Sequence, residues 1–285
     1  MRNGFTFKNR HSSEFGVTVK TKSRPILPEV KGYLYETPAM DGSYDFTASN
    51  SDGREHYNDR LIEIAIQYTA DKLEELEQKT ARLAVWLRGS GDLIFDSSNT
   101  VKWTGRFISE VSFAPEHRGK SAIASAIFRA RPCGAATFNT ADGVHLSDAL
   151  MLDSDIPLDF SQYFVKQLSY GENTVQFVNI GDFYVRPKLI FGKGASNITA
   201  TYRDTKIMLS DLAGDVIIDM EKCVVTNSSG DNLMNKLQGN FFELGEGVSD
   251  INIYTDCACE LRIEYAPKTI YDFDFSSIDW GDEDA

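Results

Sequence analysis

The first half of the chain carries hydrophobic residues at every second position over several short stretches. The clearest stretch is 61–68, where Ile62, Ile64 and Ile66 fall on one side and polar or small residues on the other. A period of two indicates a strand with one buried face. The same alternation, in weaker form, recurs around Phe5 and over 121–130. We therefore predict that this half is mainly β-sheet.

One helix is predicted among these strands, over 72–88. Leucine, alanine and threonine recur there at three- and four-residue spacing, and charged residues fill most of the positions between them. Asp71 and Glu74 have the spacing of a capping box, in which the Asp carboxylate accepts a hydrogen bond from a first-turn amide. Gly89 can take the left-handed conformation that ends a helix.

Short strand patterns return after Asn173 at even spacing, with turn residues between them and no helical period. The predicted strands are Thr174–Val178, Arg186–Phe191, Ile198–Tyr202, Lys206–Leu209, Val216–Asp219, Lys222–Thr226, Asn240–Glu243, Ile251–Tyr254 and Glu260–Tyr265. Many short strands separated by turns are typical of a β-sandwich or jelly roll.

A length of 285 residues is enough for about two domains, each with its own apolar core. The patterns divide the chain into an N-terminal β domain over 1–135, a linker or lead-in segment over 136–171, a C-terminal β-sandwich over 172–270 and an acidic tail over 271–285. The tail is either disordered or a strand that docks on a partner.

The charge balance excludes two classes of partner. The chain has 42 Asp and Glu against 29 Lys and Arg, a formal net charge of −13. Proteins that bind nucleic acids or anionic membranes need clustered basic residues, so neither partner is expected. No apolar stretch reaches the length of a membrane-spanning helix, and the first residues lack a secretory signal. We expect synthesis in a cytoplasm, with the four cysteines as free thiols.

The sequence contains no catalytic or cofactor motif that predicts an enzyme. Its histidines lack the spacing of a metal or catalytic site, and no phosphate-binding or dinucleotide-binding loop occurs. Cys257 and Cys259, with Cys223, have the only metal-like spacing, which suits two small buried hydrophobic residues equally well. We therefore predict neither a metal nor a cofactor.

Tyrosines in the second half are the candidate ligand-binding residues. On one face of a jelly roll, aromatic rings form a platform on which sugars stack, and the candidates are Tyr170, Tyr184 and Tyr202. The alternative is that these rings belong to the core or to a protein interface.

Several blocks of the first half, taken in order, resemble the distal tail (Dit) proteins of siphophages that infect Gram-positive bacteria. The blocks are Gly4–Asn9, His11–Val17, Arg24–Glu29, Glu36–Phe46, Tyr57–Ile64, Leu83–Leu87, Gly91–Asp96 and Trp103–Phe107. In the second half the resemblance continues through Asn179–Gly181, Arg186–Ile190 and Ile217–Asp219.

The resemblance implies a fold and a role. The fold is a tail-tube-like β-sandwich with one α-helix, followed by a galectin-like or jelly-roll β-sandwich. Six copies would form a ring through the N-terminal domain at the virion tail tip. The ring would join the major tail tube protein to the tail-tip protein and to any receptor-binding protein.

The long segment between Pro25 and Asp59 is the candidate ring interface. A ring contact joins one patch to a different patch on the next copy, so each subunit needs two complementary surfaces. The candidate residues are two stiffening prolines and four aromatic anchors: Pro25, Pro28, Tyr33, Tyr35, Tyr44 and Phe46. The alternative is that the aromatic residues close the core of their own chain.

Three functions remain to be weighed. The ordered N-terminal blocks favour a structural tail hub. A carbohydrate-binding module that adheres to cell-wall glycans is the alternative, and it would show exposed aromatic rings on one sandwich face. A β-sheet glycosidase is third, and it would need two carboxyl groups about 5–9.5 Å apart in a cleft.

Overall fold

The computed structural model describes residues 4–38, 41–49, 53–108, 112–116, 120–137 and 163–273. Within them the chain is mainly antiparallel β-sheet, as predicted. The described residues form two compact units: one runs to Ala135 and includes Ile270–Asp272, and the other comprises Ala136–Thr269 and Phe273. No helix within these ranges has the length and apolarity needed to cross a membrane.

The N-terminal unit contains one large antiparallel sheet and a separate two-stranded hairpin. Its strands are β1 (Phe5–Phe7), β2 (Arg10–His11), β3 (Val17–Ser23), β4 (Leu34–Glu36), β5 (Ser43–Asp45), β6 (Arg60–Thr69), β7 (Ser90–Phe95), β8 (Ser98–Phe107), β9 (Ser112–Glu116), β10 (Ser121–Ala130) and β11 (Gly134–Ala136). The order across the sheet is β2-β1-β7-β8-β10-β6-β3, and β4 and β5 form a separate hairpin.

The predicted alternation on β6 is present, and it sets the buried face of the sheet. Ile62, Ile64 and Ile66 are buried, whereas the residues on the other side are mostly exposed. Strand β10 pairs with β6 along its full length and places an alanine opposite Ile64 and Ile66, whereas Phe128 lies opposite Ile62. Because alanine fills little space, this face can accept further side chains from above.

The predicted helix is present as α1 (Leu73–Leu87). The predicted capping box is wrong, because the N-cap residue is Lys72 and its side chain makes no capping hydrogen bond. Asp71 stands one residue before that position. Gly89 does take a left-handed conformation, with φ of 87°. Amphipathic packing, rather than a cap, therefore fixes where this helix begins.

An aromatic cluster joins α1 to the first fifteen residues. The Trp86 ring stacks on Phe5 with centroids 5.2 Å apart and on Phe15 at 4.3 Å. Its indole Nε1 donates a hydrogen bond of 3.0 Å to the carbonyl oxygen of Phe7. Phe7 in turn meets Phe128 edge to face at 6.0 Å. The helix is thereby tied to both β1 and the central strand β10.

The C-terminal unit is a sandwich of two five-stranded antiparallel sheets, which confirms the predicted sandwich. Its sandwich strands are β12 (Tyr163–Leu168), β13 (Gly171–Asn179), β14 (Lys188–Phe191), β15 (Ile198–Tyr202), β16 (Thr205–Leu209), β17 (Val216–Asp219), β18 (Val224–Thr226), β19 (Leu237–Gly239), β20 (Gly247–Thr255) and β21 (Cys259–Glu264), and a short β22 (Lys268–Thr269) follows. The sheet orders are β12-β21-β14-β17-β18 and β13-β20-β15-β16-β19. One continuous apolar core includes buried residues from both sheets.

One strand prediction in this unit is wrong. Residues 240–243 are irregular, and the strand lies earlier, at β19. Gly239 ends it with φ of 101°, and a Cβ there would lie 2.0 Å from the carbonyl oxygen of Lys206. The chain therefore leaves the sheet edge at this glycine, and Phe242 reaches the core from a loop.

The predicted linker and tail fall largely outside the described residues. From the lead-in segment 136–171 the structure describes 136–137 and 163–171, and β12 lies in the latter part. Residues 138–162 lie outside the described residues, and so do 274–285, which are most of the predicted acidic tail. The division 1–135, 136–171, 172–270 and 271–285 remains a prediction.

Replacing Trp86 tests whether the aromatic cluster holds the N-terminal unit together. Trp86→Ala removes two stacked contacts and the bond to Phe7, so the free energy of unfolding should fall by about 3–5 kcal/mol. Val85→Ala, at an exposed neighbour on the same helix, should change it by less than about 0.5 kcal/mol. Guanidinium denaturation followed by circular dichroism measures both. Equal effects of the two changes would contradict this role for Trp86.

Candidate assembly surface

The described residues of the long segment 24–59, between β3 and β6, are mostly exposed, and we call this segment the arm. Its hairpin pairs Tyr35 with Tyr44 across β4 and β5. The amide of Phe46 donates to the carbonyl oxygen of Tyr33 at 2.9 Å and extends the pairing by one step. The predicted interface residues Tyr33, Tyr35, Tyr44 and Phe46 are thus brought together on one hairpin.

The side chains of this hairpin are exposed to solvent. Tyr33 is 65% exposed and Phe46 is 42% exposed, with Leu34, Tyr35 and Tyr44 between these values. We call these five residues the aromatic ridge. The Phe46 ring lies 6.2 Å from the rings of both Tyr33 and Tyr44. The alternative that these aromatic residues close the core of their own chain is therefore wrong.

The arm is acidic as well as apolar. Residues 24–59 contain seven Asp and Glu against three Lys and Arg. Glu36, Asp41 and Asp45 lie on or beside the hairpin and are exposed. Hydrogen bonds from the Thr47 hydroxyl and, at 2.9 Å, from the Thr47 amide hold the pKa of the Asp45 carboxyl below its usual value. The ridge therefore combines aromatic rings with neighbouring acidic side chains.

Arg60 clamps the base of the arm. Its Nη1 donates to the carbonyl oxygens of Pro25 at 2.9 Å and Ile26 at 3.2 Å, and its Nε donates to that of Pro132 at 2.5 Å. The guanidinium lies over the Trp103 ring at 4.9 Å, and the residue is 2% exposed. Burial lowers the pKa of Arg60 to about 10, which leaves it charged at neutral pH.

The two predicted prolines belong to this base rather than to the exposed hairpin. Pro25 is half-buried and its carbonyl oxygen accepts from Arg60, and Pro28 is buried. Ile26 and Leu27 between them are exposed, and the sequence pattern did not single them out. The prolines therefore fix where the arm leaves the sheet.

A second exposed apolar surface lies beside α1. A groove of about 360 Å³ is lined by Arg10, Phe15, Ala81, Arg82, Val85 and Trp86, and we call it the helix groove. Val85 is 77% exposed at its rim. Ala81 and Val85 are four residues apart on one helix face. That spacing is visible in the sequence, but the helical pattern did not single out these two residues.

The candidate glycan-facing tyrosines do not share a surface. Tyr170 is 73% exposed, whereas Tyr202 is 7% exposed and its hydroxyl lies 3.2 Å from Ser249 Oγ. The prediction for Tyr202 is therefore wrong, because its ring belongs to the sandwich core. Tyr184 is half-buried and precedes Val185, which forms an isolated β-bridge with Leu244, just before the start of β20. Tyr170 precedes Gly171, which pairs with Thr255 at the other end of β20. The three residues form no common platform.

Tyr170 instead pairs with a tyrosine that the sequence analysis missed. A hydrogen bond with Tyr170 raises the pKa of the Tyr254 hydroxyl. Tyr254 occupies an outward position of β20, on the same side of the strand as Asp250 and Asn252. Alternation along 248–255 could have identified this exposed tyrosine.

His11 has partners that its sequence spacing did not reveal. Its Nε2 lies 3.1 Å from an Asp96 carboxylate oxygen, and its Nδ1 lies 2.7 Å from Ser13 Oγ. The distances resemble those of a Ser-His-Asp triad. However, Nδ1 also accepts a hydrogen bond of 3.2 Å from the Ser13 amide. That bond caps the short 3-10 helix Ser12–Phe15, so the arrangement serves the local fold.

The cysteines do not assemble as a metal site. Cys257 is exposed and precedes β21, whereas Cys259 is buried and its thiol pKa is raised by that burial. Across the described residues, no cluster of three or more His, Cys, Asp or Glu is placed to hold a metal ion.

Arg60→Met tests the clamp on the arm. The change removes three hydrogen bonds to carbonyl oxygens while keeping the apolar stem over Trp103. Exchange at the paired amides of Lys31 and Asn58 should accelerate about tenfold or more, as measured by hydrogen exchange. Arg129→Met, at an exposed site on β10, is the control. Unchanged protection of the arm would show that Arg60 does not hold it.

Comparison with solved structures identifies the fold. The chain superimposes on the crystal structure of the phage SPP1 Dit protein (gp 19.1), described as a paradigm of the hub adsorption apparatus in phages infecting Gram-positive bacteria. The TM-score is 0.66 at 11% identity, over 93% of this chain and 98% of that one.

Chains of the activated phage P2 baseplate, solved with Ca and with Sr, match at 7% identity and TM-scores of 0.45. They cover 95% and 94% of this chain and 100% and 99% of their own lengths. No protein-family model and no curated protein matches the sequence. The chain has a Dit-like fold, as its N-terminal motifs predicted.

Proposed function

We propose that this chain is a structural virion protein, the distal tail hub of a siphophage or prophage of Gram-positive bacteria. The observation that carries the proposal is the match to the SPP1 Dit structure across nearly the full length of both chains. The ordered N-terminal motifs support it independently, because they were identified from residues alone. In this role the protein acts by assembly rather than by catalysis.

The hub would be a ring of six copies formed by the N-terminal units. It would sit at the virion tail tip after synthesis in the host cytoplasm. One side would meet the major tail tube protein, and the other would meet the tail-tip protein and any receptor-binding protein. The aromatic ridge supports this arrangement, because exposed clustered aromatic side chains are typical of interaction surfaces.

The mass of the purified chain tests the ring. Six copies of 31.9 kDa give about 190 kDa, which light scattering on a sizing column should measure, with a central hole in negative-stain images. Tyr35→Ser with Tyr44→Ser should weaken assembly about tenfold or more, because both rings are expected to be buried between copies.

The control for the ring experiment is Val165→Ser, an exposed apolar residue on β12 of the other unit, which should assemble normally. A chain that stays near 32 kDa at every concentration would contradict self-assembly. A ring unaffected by the tyrosine changes would contradict the arm as its interface.

Carbohydrate binding by the C-terminal sandwich is the second candidate function. The observation that favours it is the exposed, hydrogen-bonded pair of Tyr170 and Tyr254. Tyr254 shares its side of the sheet with Asn252 and Thr174, which are hydrogen-bonded to each other at 3.1 Å. Aromatic rings beside amide and hydroxyl groups suit a sugar that has one apolar face and a rim of hydroxyls.

An array of bacterial cell-wall glycans tests this second function. If the sandwich binds one of them, Tyr170→Ala and Tyr254→Ala should each raise the dissociation constant about tenfold. Tyr184→Ala, outside the pair, should leave it unchanged. The carbohydrate proposal fails if no glycan binds, or if binding survives both changes.

A further inference from the structure

We propose that the helix groove of one copy receives the aromatic ridge of a second copy. This inference rests on the proposed ring, and it names the two surfaces that meet in it. A closed ring of identical chains requires two different, complementary patches on each subunit. The N-terminal unit carries two exposed apolar surfaces that differ in shape and in charge, the helix groove and the aromatic ridge.

The groove has an apolar floor and one apolar wall, with the exposed side chain of Val85 at its rim. Phe15 and Trp86 stack at 4.3 Å and form the floor, and Ala81 and Val85 form one wall. Val85 is 77% exposed on a helix whose other outward residues are mostly polar. Exposed valine beside aromatic rings gains free energy when a second apolar surface excludes water from it.

The charges of the two surfaces are complementary. Arg10 and Arg82 line the groove. Arg10 is already paired with Glu14 at 3.0 Å, so Arg82 is the basic residue that we expect to meet the carboxylates of the ridge. The ridge is accompanied by Glu36, Asp41 and Asp45, in a segment with seven acidic and three basic residues. Opposite charges at the rim of a contact steer association and select its orientation.

The positions of the two surfaces suit a head-to-tail contact. The groove lies beside Phe15, next to Val17 at the start of β3, and the arm leaves the sheet after Ser23 at the end of β3. This strand has seven residues, about 20 Å at the usual rise per residue. Because the base of the arm lies at one end of β3 and the groove at the other, successive copies can be joined without using the same patch twice.

A photo-crosslinking experiment tests this contact in the full-length chain. Val85 is replaced by benzoylphenylalanine, and chains labelled with nitrogen-14 and nitrogen-15 are mixed, assembled and irradiated. Cross-linked peptides that combine the two isotopes come from different copies. We expect these mixed peptides to join position 85 to residues 29–49.

Leu73 provides the matched control position. It is exposed at the start of the same helix, twelve residues from Val85 and about 18 Å away along the axis. Benzoylphenylalanine there should not label the arm. A second variant, Arg82→Glu, places like charges at the contact and should raise the concentration for half-assembly about tenfold or more. Arg82 is exposed, so the variant should fold normally.

The possible outcomes separate this inference from the proposed function. A ring of about 190 kDa whose position-85 cross-links fall outside 29–49, or are absent, overturns the docking contact and leaves the hub standing. A ring unaffected by Arg82→Glu overturns the charge pairing on which the contact depends. A chain that remains a monomer and gives no mixed cross-link overturns both proposals.

Discussion

The packing of Trp86 between Phe5 and Phe15 is the contact on which the N-terminal unit depends. Strands β1 and β2 contain three and two residues, too few for stable pairing by backbone hydrogen bonds alone. The indole joins β1 and the short 3-10 helix to α1, because it stacks on Phe5 and Phe15 and donates to the Phe7 carbonyl oxygen. Phe15 and Trp86 also form the floor of the helix groove, so the core contact shapes an exposed surface as well.

A second constraint acts on the arm, which exposes aromatic side chains that most soluble chains would bury. Arg60 anchors it by donating to backbone carbonyl oxygens on two loops, so the arm leaves the sheet in a defined direction. Water around the exposed rings is released when a partner covers them. A rigid base and an apolar tip together suit a surface that is completed by assembly, because little conformational entropy is lost on binding.

The C-terminal sandwich is organised differently, since its core includes residues from both sheets and its described surface carries mainly polar side chains. Tyr202 shows how an aromatic residue with a polar group is buried in this core. Its hydroxyl lies near Ser249 and accepts a hydrogen bond of 3.3 Å from the Gly245 amide, so the hydroxyl is hydrogen-bonded without solvent. Tyr170 and Tyr254 lie outside that core. This unit can therefore offer a ligand surface without disturbing its own packing.

Local periodicity determined much of this protein from the sequence alone: the alternation on β6, the helix over 72–88 and most sandwich strands, because burial of one face imposes a period of two or of about 3.6. The N-terminal motifs also predicted the Dit-like fold. Only the tertiary structure decided that Tyr33 and Phe46 are exposed while Tyr202 is buried, that His11 meets Asp96, and that Gly239 ends its strand. These outcomes depend on contacts between residues far apart in the chain. A local pattern of hydrophobic and polar residues does not show which distant residues come into contact.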